Sequence, residues 1–151
     1  MMIEPNNQIP ETDVPSMDDA LTFAAAVARI AAEQKAEDVA VLDLRGLSSI
    51  ADFFVIGTGT SERQMHATLD HIHDFAGAVQ RRPFKIADTR EASWVLADYV
   101  DVIIHLFDAK HRDYYDLDGF WGDAPRIDWA AANGAASENG ANSSVNASNG
   151  D

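Results

Sequence analysis

Apolar side chains recur at helical spacing near the start of the chain. Phe23, Val27 and Ile30 are three or four residues apart and would line one face of a helix. Ser16 followed by Asp19 resembles a capping box, in which side chains satisfy the free N–H groups of a helix start. The pattern predicts a first helix from about Asp18 to Gln34.

The apolar runs that follow are short and rich in β-branched and aromatic residues, which is typical of strands. Two of them, Val39 to Leu44 and Phe53 to Thr58, are joined by a connector short enough to make them neighbours in one sheet. Ser61 can cap a second helix that ends near Arg81-Arg82-Pro83. The apolar stripe of this helix consists of Met65, Leu69, Ile72, Ala76 and Val79.

Three more strands are predicted in the second half of the chain, at Phe84 to Ala87, Trp94 to Tyr99 and Val102 to Phe107. The last two are joined by a tight connection at Val100-Asp101, and Asp108 would cap a short helix through Leu117. This order of elements predicts an α/β fold in which helices pack on a mixed sheet of about five strands.

The composition of both ends differs from that of the middle. We expect an N-terminal arm (1–17) and an Ala/Asn/Gly/Ser-rich tail (130–151) to be disordered around one domain, 18–129. No apolar stretch approaches the roughly 18 to 20 residues of a membrane-spanning helix, and the acidic N-terminus is unlike a signal peptide. The sequence therefore predicts a cytoplasmic protein.

The net charge is −14, from 11 basic and 25 acidic residues, and the chain contains no cysteine. Disulfides and thiolate metal sites are thereby excluded. Tight direct binding to nucleic acid relies on basic side chains, so a protein partner would have to hold this chain near RNA. The acidity suits a basic partner and equally suits a role in solubility alone.

The segment Gly57-Thr58-Gly59-Thr60-Ser61 lies between a predicted strand and a helix N-terminus, where backbone N–H groups could hold a phosphate. It is neither a G-x-G-x-x-G fingerprint nor a P-loop, since no third glycine and no Gly-Lys-Ser/Thr follows. The same residues also suit a glycine turn with a Thr/Ser helix cap. Both interpretations stay open.

Three histidines occur on the second predicted helix: His66, His71 and His73. Their spacing does not suit a helical metal pair, which needs three or four residues. His105, inside a predicted strand, is more typical of a hydrogen-bonded half-buried side chain than of a general base. Asp98 and Asp101 flank the last strand turn, and turn formation explains them better than a carboxylate pair. We therefore predict no catalytic residue, metal or cofactor.

Aromatic residues crowd the last third of the domain, at Trp94, Tyr99, Tyr114, Tyr115, Phe120, Trp121 and Trp129. A small fold cannot bury all of them in one core, so some should remain at the surface as anchors for a partner. For any single residue, such as Trp94 or Tyr115, completion of the core is an equally good interpretation.

Three segments, in their order and spacing, resemble the iojap, or ribosomal silencing factor, family. They run from Ala51 to Gln64 (ADFFVIGTGTSERQ), from Trp94 to Phe107 (WVLADYVDVIIHLF) and from Arg112 to Pro125, which ends in WGDAP. The resemblance covers roughly Leu21 to Arg126 and is more specific than any short motif above.

The resemblance implies a fold related to nucleotidyltransferases, but a non-enzymatic function. It implies binding to ribosomal protein uL14 on the large ribosomal subunit and a steric block of subunit association when nutrients are limiting. It leaves open a homodimer of the free protein. The residues that it suggests for uL14 binding are Trp94, Asp98, Tyr99, Asp101, His105, Tyr115, Leu117 and Trp121.

The chain departs from the family pattern at Val100, where the family usually has glycine, and at Thr89-Arg90-Glu91, where a glycine is also common. A β-branched residue is strained at positive φ, so we expect a turn of another type at Val100.

The alternative interpretation is a nucleotidyltransferase-like enzyme or nucleotide-binding protein that uses the 57–61 turn. Enzymes of the related fold hold two metal ions with Asp-x-Asp on a strand. Here the strand ending at Ala87 leads to Asp88-Thr89-Arg90, and Asp-x-Asp occurs only at Asp116-Leu117-Asp118, near a helix end. Ribosome docking is therefore preferred, and a scaffold with another partner is the third possibility.

Overall fold

The computed structural model describes residues 19–87 and 93–131. Its elements, in chain order, are α1 (Ala20–Glu33), β1 (Glu37–Asp43), β2 (Phe53–Gly59), α2 (Glu62–Ala78), β3 (Lys85–Ala87), β4 (Trp94–Asp98), β5 (Val102–Asp108), α3 (Ala109–Tyr115), α4 (Leu117–Phe120) and β6 (Arg126–Ile127). The predicted order of helices and strands is confirmed, with one additional short helix and one additional strand.

All strands within residues 19–87 and 93–131 belong to one six-stranded sheet in the order β3-β4-β5-β2-β1-β6. The central pair β2–β5 is parallel and the other pairs are antiparallel, so the predicted mixed α/β sheet is confirmed. β1 and β2 are neighbours, as their short connector indicates. The sixth strand pairs only Arg126 and Ile127 with β1, and two residues are too few to give a strand pattern.

Side-chain caps begin the helices. Ser61 and Asp108 cap α2 and α3 as predicted, each accepting a hydrogen bond from a backbone N–H three residues later. The first helix is capped by Asp19, whose carboxylate accepts from the Thr22 N–H at 3.0 Å. The predicted partner in a capping box, Ser16, lies outside the described residues.

The two long helices end without a glycine. In α1 Lys35 has φ 77° and Ala36 N–H donates to the Ala31 carbonyl; in α2 Gln80 has φ 66° and Arg81 N–H donates to the carbonyl of residue 76. These are the bonds of a Schellman motif, which normally places glycine at the left-handed position. The predicted end of α2 near Arg81 was therefore about three residues too late, because no stop residue marks the helix end.

Alternate residues of the central strands point into two separate cores. The helix-covered face lies under α1 and α2 and contains Val102, Ile104 and Leu106 of β5. Ile103 and Phe107 point to the other side, which we call the aromatic face. α3 and α4 lie on that side, but neither has a buried residue of its own. The aromatic face is consequently only partly covered.

Two hydrogen bonds hold the segment around Trp129 against the rest of the domain. The Trp129 indole N–H donates to the Val39 carbonyl at 3.0 Å, and Arg29 donates to the Trp129 carbonyl at 3.1 Å. The predicted disordered arm, and the predicted tail from residue 132 onward, lie outside the described residues. Among the helices of residues 19–87 and 93–131, none is long and apolar enough to cross a membrane.

Candidate protein-binding surface

Trp94 lies at the centre of a cluster of rings on the aromatic face. Its ring centroid is 4.7 Å from that of Tyr115 on α3 and 5.0 Å from that of Phe107 on β5. Trp94 is half-buried, whereas Tyr115 is 42% exposed. The strand β4 brings Trp94 to the face, and α3, which follows β5 directly, lays Tyr115 against it. Two of the predicted partner-binding residues are thus in direct contact.

His105 lies beneath this cluster and is only 4% exposed. Its Nδ1 accepts a hydrogen bond from the Trp94 indole N–H at 3.2 Å, and the Phe54 ring lies 4.5 Å away between centroids. Burial lowers the pKa of His105 to about 4. A side chain so deeply buried supports the surface from below and does not itself form part of it.

Leu117 and Trp121 extend the surface along the second short helix. Both are half-buried and pack against the aromatic-face core, with Trp121 edge-on to Phe54 at 6.2 Å. Two strongly exposed rings adjoin the cluster: Phe120 (76%) meets Trp121 edge-on, and Tyr114 (77%) meets Tyr115 edge-on. Large exposed apolar side chains next to half-buried tryptophans are typical of a surface that a partner covers.

Tyr99 lies on the opposite side of the sheet from the other candidates. It is 2% exposed in the helix-covered core, where it meets Phe23 edge-on at 5.4 Å and hydrogen-bonds His73 at 3.2 Å. Burial raises the pKa of its hydroxyl to about 12. Tyr99 was grouped with Trp94 because both belong to one matched segment, but odd and even residues of a strand point to opposite faces. Its position there is that of a core residue.

Asp98 and Asp101 serve the turn between β4 and β5, in agreement with the turn interpretation. The Asp98 carboxylate accepts from the Val100 N–H at 2.8 Å. Asp101 pairs with the Arg81 guanidinium at 2.6 Å and so ties the turn to the end of α2. Asp98 lies two and four residues after Leu96 and Trp94 on the same side of β4, at the margin of the aromatic face. Asp101 is instead paired with Arg81 on the helix-covered side.

Val100 has φ 80°, so the expectation of another turn type was wrong. The Asp101 N–H donates to the Tyr99 carbonyl at 3.0 Å, which makes Val100 the centre of a three-residue γ-turn. A β-branched side chain is strained in this region of φ. The chain therefore keeps the backbone conformation that glycine would favour and bears the strain of valine.

Arg112 is a structural residue that sequence reasoning missed. From α3 its guanidinium donates to the Asp38 carbonyl at 2.5 Å, to the Thr58 hydroxyl at 2.9 Å and to Asp118 at 2.9 Å. Asp118 also pairs with Arg126 at 3.0 Å. Burial acts to raise the Asp118 pKa, but these two arginines outweigh it and leave the pKa below its usual value. Arg112 thus holds both short helices against the sheet.

The 57–61 turn has the geometry of a cap. The Thr60 N–H donates to the Gln64 side chain at 3.1 Å, and Ser61 caps α2. A Cβ placed on Gly59 would lie 2.0 Å from a carbon of Met65, so the side chain of Met65 already fills the space beside the glycine. These contacts favour the turn-and-cap interpretation over phosphate binding.

The two carboxylates of the Asp-x-Asp segment accept hydrogen bonds from other groups of the chain. Asp116 accepts from the Gly119 N–H at 3.0 Å, and Asp118 lies between two arginines. A cleft of about 600 Å³ opens beside them, lined also by Glu37 and Asp38. Within the described ranges no group of three or more His, Cys, Asp or Glu side chains could hold a metal ion.

Fold and surface together describe an α/β domain with a candidate protein-binding face. The family model described as "Ribosomal silencing factor during starvation" matches residues 17–151. The chain belongs to this ribosomal silencing factor family, as the resemblance of its three segments indicates.

Relatives agree in sequence and in fold. The chain is 41% identical over 96 residues to the ribosomal silencing factor RsfS of Bacillus subtilis, covering 64% of this chain and 81% of that one. It is 37% identical over 121 residues to the chloroplastic protein Iojap of Zea mays, covering 79% and 53%. A crystal structure of a protein from Chromobacterium violaceum matches with a TM-score of 0.63 and 26% identity, over 69% of this chain and 88% of that one.

Proposed function

We propose that this chain binds ribosomal protein uL14 of the large ribosomal subunit through the aromatic face and sterically blocks subunit association, repressing translation under nutrient limitation. Membership in the family and what the resemblance implies support this proposal. The observation that supports the aromatic face as the site is its incomplete cover, since half-buried Trp94 and Trp121 adjoin exposed Tyr115 and Phe120.

The contact residues proposed from the structure are fewer than those proposed from the sequence. Trp94, Tyr115, Leu117 and Trp121 share the aromatic face, with Asp98 at its margin. The other three candidates are buried or paired within the chain, so they support the fold and do not contact the partner: Tyr99, Asp101 and His105. Aromatic side chains contribute most of the binding energy at many interfaces, which suits a small central cluster of this kind.

Charge supports a basic partner. A net charge of −14 attracts a basic protein and disfavours direct contact with phosphate backbones. Near the aromatic face, Asp113 and Asp116 are exposed on α3 and at its end. Charged residues at the rim of an interface speed association and select the partner more than they strengthen the complex.

The test uses a matched pair of exposed phenylalanines. Phe120 (76% exposed) adjoins the aromatic face. Phe84 (74% exposed) precedes the edge strand β3, where its N–H donates to the Asp98 carbonyl at the other end of β4 from Trp94. Binding to purified uL14, co-sedimentation with large subunits and inhibition of subunit joining would be measured for Phe120→Ala, Phe84→Ala and Tyr115→Ala.

We expect Tyr115→Ala and Phe120→Ala to weaken binding by about tenfold or more, as for truncated interface anchors. Phe84→Ala should bind and inhibit as the unmodified chain does. The proposed site is wrong if Phe84→Ala loses as much affinity as the other two. The proposed function itself is wrong if the unmodified chain remains in the ribosome-free fractions of a sucrose gradient.

A further inference from the structure

His105 carries a buried nitrogen without a partner. Its Nδ1 accepts from the Trp94 indole, but its Nε2 is buried and has no hydrogen-bond partner. The residues around it on the aromatic face are apolar or aromatic, with the Phe54 ring at 4.5 Å and Phe107 stacked at 6.1 Å between centroids. An unpaired polar atom inside a protein is rare and calls for an explanation.

The proton on the ring can be placed by elimination. An indole N–H only donates, so the Nδ1 that receives it carries no proton. A neutral imidazole must then hold its proton on Nε2, where no oxygen or nitrogen accepts it. A charged imidazolium would carry protons on both nitrogens. Its Nδ1 N–H would then face the indole N–H of Trp94, and two donors cannot form a hydrogen bond. The low pKa of about 4 keeps the ring neutral at ordinary pH.

This arrangement lowers stability locally, because a buried donor without an acceptor costs free energy. A phenyl ring would fill nearly the same space without that cost. The histidine therefore stabilises the fold less than an apolar ring would. Its one side-chain hydrogen bond is the one that it accepts from Trp94. We therefore look for the role of His105 in the effect of this hydrogen bond on the Trp94 indole.

We infer that His105 is a positioning residue for the proposed partner surface, and that it makes the contact over Trp94 purely apolar. Tryptophan at an interface normally offers its N–H as a polar handle to the partner. Here the N–H is engaged within the chain, so the partner meets ring carbons. The partner should accordingly place an aliphatic or aromatic side chain opposite Trp94, and no carbonyl or carboxylate. This inference rests on the proposed function.

Two substitutions separate positioning from packing. His105→Phe keeps a ring but removes the acceptor, whereas His105→Asn keeps an oxygen near the place of Nδ1 but loses the ring. We expect His105→Phe to melt at the same temperature or higher and to bind large subunits about tenfold more weakly. We expect His105→Asn to melt at a lower temperature and, in its folded fraction, to bind more tightly than His105→Phe.

A double-mutant cycle then tests the bond itself. Trp94→Phe has no N–H to donate, so adding His105→Phe in that background should cause no further loss of affinity. The indole N–H signal of Trp94 in an NMR spectrum of the free protein, assigned by its absence in Trp94→Phe, should shift in His105→Phe and stay near its place in His105→Asn.

The inference is overturned if His105→Phe lowers the melting temperature while the folded protein binds with unchanged affinity, since His105 would then be a core residue only. An equal further loss in the Trp94→Phe background would show that His105 acts independently of the indole. If the unmodified chain does not bind large subunits, the proposed function fails, whereas the positioning role is still decided by the indole signal.

Discussion

The two faces of one sheet differ in how completely they are covered. On one face, α1 and α2 contain 14 and 17 residues and pack onto the strands. On the other, α3 and α4 contain only seven and four residues and bury none of their own side chains. Because the same strands supply both faces, the difference arises from the helices alone. Short helices leave part of the aromatic face uncovered.

Polar groups differ in the same way. On the helix-covered side the hydroxyl of Tyr99 bonds His73, and Asp101 bonds Arg81. On the aromatic face the buried His105 satisfies one nitrogen and leaves the other without a partner. A fully satisfied core is what stability alone would select, so the incomplete pairing under Trp94 fits a face selected also for binding.

The largest expected effect contrasts one aromatic residue from each face. Phe23 is fully buried on the helix-covered face and has the Arg81 guanidinium 4.5 Å above its ring. Phe23→Ala should lower the free energy of unfolding by about 3 to 5 kcal/mol, the usual cost of truncating a buried aromatic. Urea denaturation measures this, and binding to large subunits by the folded fraction should be unchanged.

Trp94→Ala is the counterpart of that substitution. Although tryptophan is larger, Trp94 is half-buried, and its loss should cost less stability than the loss of Phe23. Its affinity for large subunits should fall by on the order of 2 kcal/mol. The contrast between the faces breaks down if Trp94→Ala is the less stable variant and binds with full affinity once folded.

Acid should act on the aromatic face through His105. Its pKa of about 4 in the folded protein lies below the ordinary value of 6.5, because burial disfavours the charged ring. As pH falls from 6.5 towards 4, the unfolded chain takes up this proton first, so stability is present at neutral pH and is lost on acidification. The loss amounts to about 3 kcal/mol at 1.36 kcal/mol per pKa unit.

His105→Phe provides the comparison. Urea titrations of both proteins at several pH values between 6.5 and 4.5 should show a stability difference that moves in favour of His105→Phe as pH falls. Parallel curves for the two proteins would mean that His105 does not stay neutral in the fold.

The smallest effect concerns the turn between β4 and β5, where residues of both faces meet: Tyr99 lies in the helix-covered core and Asp98 at the margin of the aromatic face. Val100 is strained at φ 80° and is 63% exposed. Val100→Gly should raise the free energy of unfolding by about 1 kcal/mol, since relief of roughly 1 to 3 kcal/mol of strain exceeds the entropy that glycine loses on folding. Val100→Ala retains a Cβ and is the control. A glycine variant less stable than the valine protein would show that the strain is absent.

Local patterns in the sequence determined the elements and much of their arrangement. Helical spacing identified α1 and α2, and Ser61 and Asp108 marked two helix starts correctly. The resemblance in three segments identified the family. The end of α1 was predicted correctly, since Gln34 is its C-cap. The end of α2 was placed about three residues too late, because Gln80 adopts the left-handed conformation without being glycine and no residue type marks the stop.

Only the tertiary structure decided which candidate residues share a surface. Trp94 and Tyr99 are five positions apart on one strand and the loop after it, yet they lie in different cores, because each step along a strand reverses the face. Tyr115 reaches Trp94 because Arg112 anchors α3 to Thr58, which is 54 residues away in sequence. Contacts over such distances depend on how the chain closes in space, and no local pattern contains that information.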